Sequence, residues 1–149
     1  MSDRLRDLFP GLRTTSFWVT SPADPDYNCV AWAANDSNNY WWPVGKRPRI
    51  YWPVGAPQEE SLAAFVAIFQ MLGYASGTDE WLETGVQKVA LFVDAEGVPT
   101  HAARQLPSGR WASKLGKMED IEHDLRALEG DIYGTVALVP KRSMPGAKE

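Results

Sequence analysis

One thiol stands in a position that could do chemistry. Cys29, the single cysteine of the chain, lies in "PDYNCVAWAAND", residues 25–36, between a polar turn and an apolar run. Asp26 or Asn28 can cap a helix that starts there and runs to about Asn35. A helix N-terminus offers free N–H groups and a dipole that favour an anion, so a thiol in the first turn is placed to become a nucleophile. The ordinary role of a lone cysteine in an apolar run is that of a small buried hydrophobe, and it stands beside this reading. A nucleophile needs a base. His101, in "THAARQL", falls in a strand-like run, whereas His123, in "DIEHDL", falls on the polar side of a predicted helix and reads as a solvated surface residue. His101 is therefore the candidate base, with a strand histidine bonded to backbone as its structural alternative.

The base in turn needs an orienting group, and the hairpin after His101 supplies the choices. If "PSG" is a three-residue loop, Leu106 faces Arg110, Ala103 faces Ser113, and His101 lies one diagonal step from Ser113 on the same face. If the loop has two residues, Lys114 replaces Ser113, and a cation there disfavours an imidazolium. Ser113 is the preferred third residue, Asp120 the fallback, Lys114 the consequence of the slipped register. Ser113 as a strand hydroxyl and Asp120 as a helix cap are the corresponding structural readings.

These residues need elements to hold them. Residues 1–24 read as an irregular N-terminal arm with a short helix near "DRLRDLF". "QEESLAAFVAIFQMLGY" carries Leu62, Phe65, Val66 and Phe69 at helical spacing, with Gly73 as its stop. "KVALFVD" (88–94), "VPTHAARQL" (98–106) and "RWASKLG" (110–116) read as strands joined by the turns "AEG" and "PSG", an antiparallel meander. "KMEDIEHDLRALEG" reads as a helix with Ile121, Leu125 and Leu128 inward, "DIYGTVALV" (131–139) as a closing strand, and 140–149 as a flexible tail. The predicted class is α+β: a single domain, 1–149, with N-terminal helices packed on the meander. The Trp- and Pro-rich segment 40–55, with "WPVG" twice, reads as a packed loop lining the cleft beside Cys29.

A cysteine opening a helix, then a strand histidine, then a polar group on the next strand, resembles the papain-like superfamily, in particular its compact NlpC/P60 and CHAP type. "YNCVAWA", "THAARQL" and "SKLG…DIEH" are similar to a family of small, mostly bacterial proteins of unassigned function, over about Tyr27 to Tyr133. The superfamily resemblance implies a papain-like fold, Cys29 as nucleophile and His101 as base. It also implies cleavage or transfer at an amide, peptide or thioester bond through an acyl-enzyme. Ser113 departs from the third residues usual there, and no glutamine precedes Cys29. The oxyanion donors would then be the Cys29 N–H and a side chain such as Asn28 or Tyr27. A toxin or effector role is a reading at family level only.

Bulk composition bounds the alternatives. With 149 residues, 44% hydrophobic and 23% charged, the chain can bury a core. A net charge of −4 argues against a nucleic-acid or membrane surface. One cysteine permits no internal disulfide, and the N-terminal stretch has no signal-peptide core; a cytoplasmic location is expected, with signal-less export left open. One Cys and two His make no zinc spacing and no phosphate loop is present, so no metal or cofactor is expected. A peptide or protein substrate is the expected partner; the oligomeric state is not readable. The competing function is a non-catalytic binding module that uses Trp42, Trp52 and their neighbours in 40–55 for glycan or protein contact, with Cys29 merely buried. In the enzyme reading, Tyr27, Asn28, Trp42 and Trp52 contact substrate.

Overall fold

The computed structural model describes residues 2–24, 27–36, 38–45, 50–115 and 118–144. Its elements are α1 (Ser2–Leu8), a 3₁₀ turn (Pro10–Arg13), β1 (Trp18–Ser21), α2 (Cys29–Ala33), β2 (Tyr40–Trp41), β3 (Ile50–Tyr51), α3 (Leu62–Met71), β4 (Val86–Val93), β5 (Pro99–Gln105), β6 (Trp111–Lys114), β7 (Asp120–His123), a second 3₁₀ turn (Leu125–Leu128), β8 (Thr135–Leu138) and β9 (Lys141–Ser143). One antiparallel sheet dominates, in the order β1-β7-β6-β5-β4-β8, with β9 also paired to β4. β2 and β3 form a separate parallel pair.

The expected α+β class, with N-terminal helices packed on a meander in a papain-like arrangement, is therefore corrected. The molecule is mostly antiparallel sheet with three short α-helices. The physical reason lies in the strands. Successive residues of β4 alternate between two cores: Val89 and Leu91 join one cluster, Ala90 and Phe92 the other. A sheet buried on both faces needs cover on both. α2 and α3 contribute to the first cluster through Val30, Phe65 and Phe69. α1 and the two 3₁₀ turns contribute to the second through Leu5, Leu12, Leu125 and Leu128.

Local expectations shift with it. The short helix expected near "DRLRDLF" is present as α1, while the rest of the arm is ordered into a 3₁₀ turn and the edge strand β1, which pairs with β7. The helix expected over 117–130 is instead β7 followed by a 3₁₀ turn, because Asp120–His123 pairs with strands on both sides and that ladder outweighs the helical spacing of Ile121, Leu125 and Leu128. The tail expected to fray from 140 forms β9 through Lys141–Ser143, held by its ladder to β4; residues 145–149 lie outside the described residues. Among the described residues no helix is long and apolar enough to cross a membrane.

Candidate functional site

Cys29 is the first residue of α2, and Asn28 caps that helix: its Oδ1 accepts from Ala31 N–H at 3.1 Å. The same carboxamide clamps β2, accepting from Trp41 N–H at 3.0 Å and donating to the Trp41 carbonyl at 2.8 Å. Asn28 is thus structural glue between helix and loop. Asp26, the other expected cap, lies outside the described residues. The thiol is 5% exposed. Burial pushes its pKa up to about 11, against the pull of the Ala102, Val30 and Cys29 backbone N–H groups and the charge of Lys114.

His101 stands on β5, next to Ala102, fully buried. Its ring stacks on Tyr133 at 4.0 Å and meets the edge of Phe92 at 5.2 Å. The hairpin takes the three-residue register: Leu106 N–H donates to the Arg110 carbonyl at 2.7 Å, and Arg104 faces Ala112. His101 Nε2 consequently lies 2.9 Å from Ser113 Oγ. Ser113 Oγ is also 2.7 Å from His123 Nε2, and His123 Nδ1 is 2.7 Å from the Asp124 carbonyl.

This chain of contacts fixes its own protons. A carbonyl only accepts, so His123 Nδ1 carries the hydrogen and its Nε2, in the neutral ring, accepts. Ser113 then donates to His123 and accepts from His101 Nε2–H. His101 is left with a bare lone pair on Nδ1, which is buried and has no hydrogen-bond partner. Burial, and then the neighbouring His123, hold His101 well below the ordinary histidine range, and burial takes His123 down to about 4. Both rings are neutral. The resting site therefore holds a protonated thiol and a neutral imidazole, and no hydrogen bond joins Cys29 to His101. His123, expected on a solvated helix face, is instead fully buried on β7 as the far end of the relay. Its signal was the alternation in "DIEH"; Tyr133 had none, because it reaches His101 from a turn.

The profile of a family described as "Domain of unknown function (DUF7689)" matches residues 18–141, most of the chain. The chain belongs to the DUF7689 family. No curated protein and no solved structure matches it.

In this DUF7689 chain the remaining expected site residues separate into two groups. Tyr27, Asp120 and Lys114 form a buried cluster: Tyr27 OH donates to Asp120 Oδ2 at 2.8 Å, and Lys114 Nζ lies 5.0 Å over the Tyr27 ring and donates to the Asp24 carbonyl at 2.6 Å. Burial raises the Asp120 pKa and lowers that of Lys114, while their opposite charges act the other way. Neither Asp120 nor Lys114 is the hydrogen-bond partner of His101; that partner is Ser113. Trp42 and Trp52 belong to the same apolar cluster as Cys29. Each ring sits 5.2 Å from Phe65 of α3, and their indole N–H groups donate to Glu60 Oε2 and the Pro57 carbonyl. Within segment 40–55, residues 46–49 lie outside the described residues. Among the described residues no cluster of three or more His, Cys, Asp or Glu could hold a metal ion.

Proposed function

We propose that the protein is a cysteine-dependent hydrolase or acyltransferase acting on an amide, peptide or thioester bond of a peptide or protein substrate, with Cys29 as nucleophile and His101 as general base. One observation carries the reading: His101 presents an unprotonated, unpartnered Nδ1 while Ser113 and His123 hold its other nitrogen. A buried lone pair without a partner is costly in a purely structural histidine, and useful in a base.

Cys29 packs in the first cluster with Ala102, whereas His101 faces Phe92 and Tyr133 of the second, so the proposed reaction begins with a substrate-induced shift that brings the thiol within reach of Nδ1. The Cys29 proton passes to His101 as sulfur attacks the acyl carbon. The imidazolium keeps its Nε2–H on Ser113 and returns the Nδ1 proton to the leaving nitrogen or sulfur. Water, deprotonated by His101, then releases the acyl group and regenerates the thiol. Backbone N–H groups at Cys29, Val30 and Ala102 surround the sulfur and supply positive dipoles there.

For the competing binding-module reading, Trp42 and Trp52 pack on Phe65, while Val44, Tyr51 and Val54 of the same segment stay exposed. The deciding experiment is acylation of Cys29 by a small thioester donor, followed by intact-mass spectrometry. Wild type should acylate, and His101→Ala should slow the reaction by roughly 10² or more. Equal rates in the two proteins at every pH overturn the proposal.

A further inference from the structure

Away from Cys29, a groove of about 680 Å³ opens on the outer side of the β6–β7 end of the sheet. That volume lies within the range of roughly 300–1,000 Å³ usual for ligand clefts. One wall is the segment before β4, which presents Trp81 at 76% exposure beside Leu82 at 49%. An indole this exposed contributes nothing to the core, yet its backbone is held firmly. Lys88, fully buried, donates through Nζ to the carbonyls of Asp79 at 2.8 Å and Trp81 at 2.6 Å. Gln105 donates to the Glu80 carbonyl at 3.0 Å. A buried lysine and a buried glutamine thus fix a segment whose only large side chains point to solvent. Lys88 also pairs with Glu83 Oε1 at 2.9 Å, so the segment satisfies a buried ammonium and in doing so holds Trp81 in a fixed place before any ligand arrives.

The opposite wall is polar and rigid. Arg110 is held by Glu122 Oε2 at 3.1 Å, Asp124 Oδ1 at 2.8 Å and the Ser16 carbonyl at 2.6 Å. Arg126 is held by Glu80 at 2.6 Å and Glu129 at 2.8 Å. Among the groups lining the groove, Arg110 and Arg126 balance Glu80 and Asp124. Such a surface attracts neither a polyanion nor a cation. With the guanidinium groups engaged, what it offers a ligand is carboxylate oxygens and the Thr14, Thr15 and Ser108 hydroxyls beside an aromatic plate. Vicinal hydroxyl groups match the first, and the C–H face of a pyranose ring matches the electron-rich face of the second.

From this combination we infer that the groove binds a neutral oligosaccharide, with Trp81 as the stacking platform. The inference is independent of the Cys29 reading. Titration calorimetry of the full chain with chitohexaose, cellohexaose and maltohexaose tests it, with Trp81→Ala and Trp81→Phe as variants. At least one of the three sugars should bind, with little dependence on salt, because the ligand carries no charge to screen. Trp81→Ala should weaken that binding at least tenfold, and Trp81→Phe less. Cys29→Ala should bind sugar as wild type does, so the two readings fail separately. The inference is overturned if none of the sugars binds at millimolar concentration, or if Trp81→Ala binds them unchanged. Capture of a proline-rich peptide in place of sugar at this groove overturns it equally.

Discussion

At the scale of single residues, the histidine relay makes two measurable statements. The first concerns pH. His123 has a folded-state pKa of about 4 against an ordinary 6.5, and His101 is displaced in the same direction. As pH falls, the unfolded chain takes up these protons before the folded one does. The stability from keeping both rings neutral is therefore complete above about 6.5 and is lost progressively as pH falls toward about 4. The loss approaches about 1.4 kcal/mol per pH unit for each histidine. Urea unfolding of wild type between neutral and mildly acidic pH should show this slope, and His123→Gln should flatten it by about one histidine's share. An unchanged slope in His123→Gln would place the titration elsewhere. The second statement concerns the thiol. With a pKa of about 11, Cys29 should alkylate slowly with iodoacetamide at neutral pH and faster as pH rises toward that value. A rate plateau already reached by pH ~7.5, typical of an activated thiolate, would contradict the buried, protonated resting state. His101 and Ser113 could be paired from sequence once a three-residue loop was preferred to a two-residue one, because loop length dictates which side chains face each other. The protonation states could not, because they depend on His123 and Tyr133, which reach the site from other elements.

Among the elements, α2 shows how much can hang on a cap. The Asn28 side chain makes one bond to the helix and two to the backbone of Trp41. Asn28→Ala removes the cap, typically worth about 1 kcal/mol. It also strands a buried N–H and carbonyl of β2, at about 1–3 kcal/mol. The expected loss in urea unfolding is about 2–4 kcal/mol from these two contributions together, and Asn28→Asp, which keeps the acceptor, should recover part of it. A loss no larger than an ordinary cap's would mean that the clamp on β2 contributes little. The polar turn before Cys29 made the cap legible in the sequence; the second role was not, because Trp41 is brought to it by folding. β7 illustrates the opposite limit. Ile121, Leu125 and Leu128 satisfy helical spacing, and Asp120–His123 equally satisfies alternation. The decision belongs to β1 and β6, whose open edges need a partner between them. The pairing of β4, β5 and β6 was readable because their turns are local; that of β1 with β7 was not, since it joins residues about a hundred positions apart.

For the whole molecule, the question is how the N-terminal segment belongs to the fold. The sequence presents residues 1–24 as an arm, yet Leu5, Phe9 and Leu12 are buried in the second cluster with Leu125 and Leu128. The two 3₁₀ turns meet backbone to backbone at Gly11. A Cβ built there would lie 2.4 Å from the Ala127 carbonyl oxygen and 2.8 Å from its Cα. Neither atom is the end of a flexible side chain, so any larger residue must push the turns apart. Gly11→Ala should therefore cost about 1–3 kcal/mol, the range for overpacking a well-filled site. The damage should be directional. Separating the turns lifts Leu5, Phe9 and Leu12 from their seats, while α2, α3 and the first cluster on the far face of the sheet stay packed. Amide hydrogen exchange resolved by peptide should show faster exchange over residues 2–13 and 125–128, with that of 62–71 near wild type. Gly97→Ala is the control: it carries a positive-φ penalty, which Gly11→Ala does not, but has open space at Cβ and lies in the β4–β5 turn, so it should not loosen the N-terminal segment. If Gly11→Ala exchanges like wild type in both turns, the close approach does not hold the segment. If it loosens residues 62–71 to the same degree, the two faces of the sheet unfold as one unit rather than as separable layers.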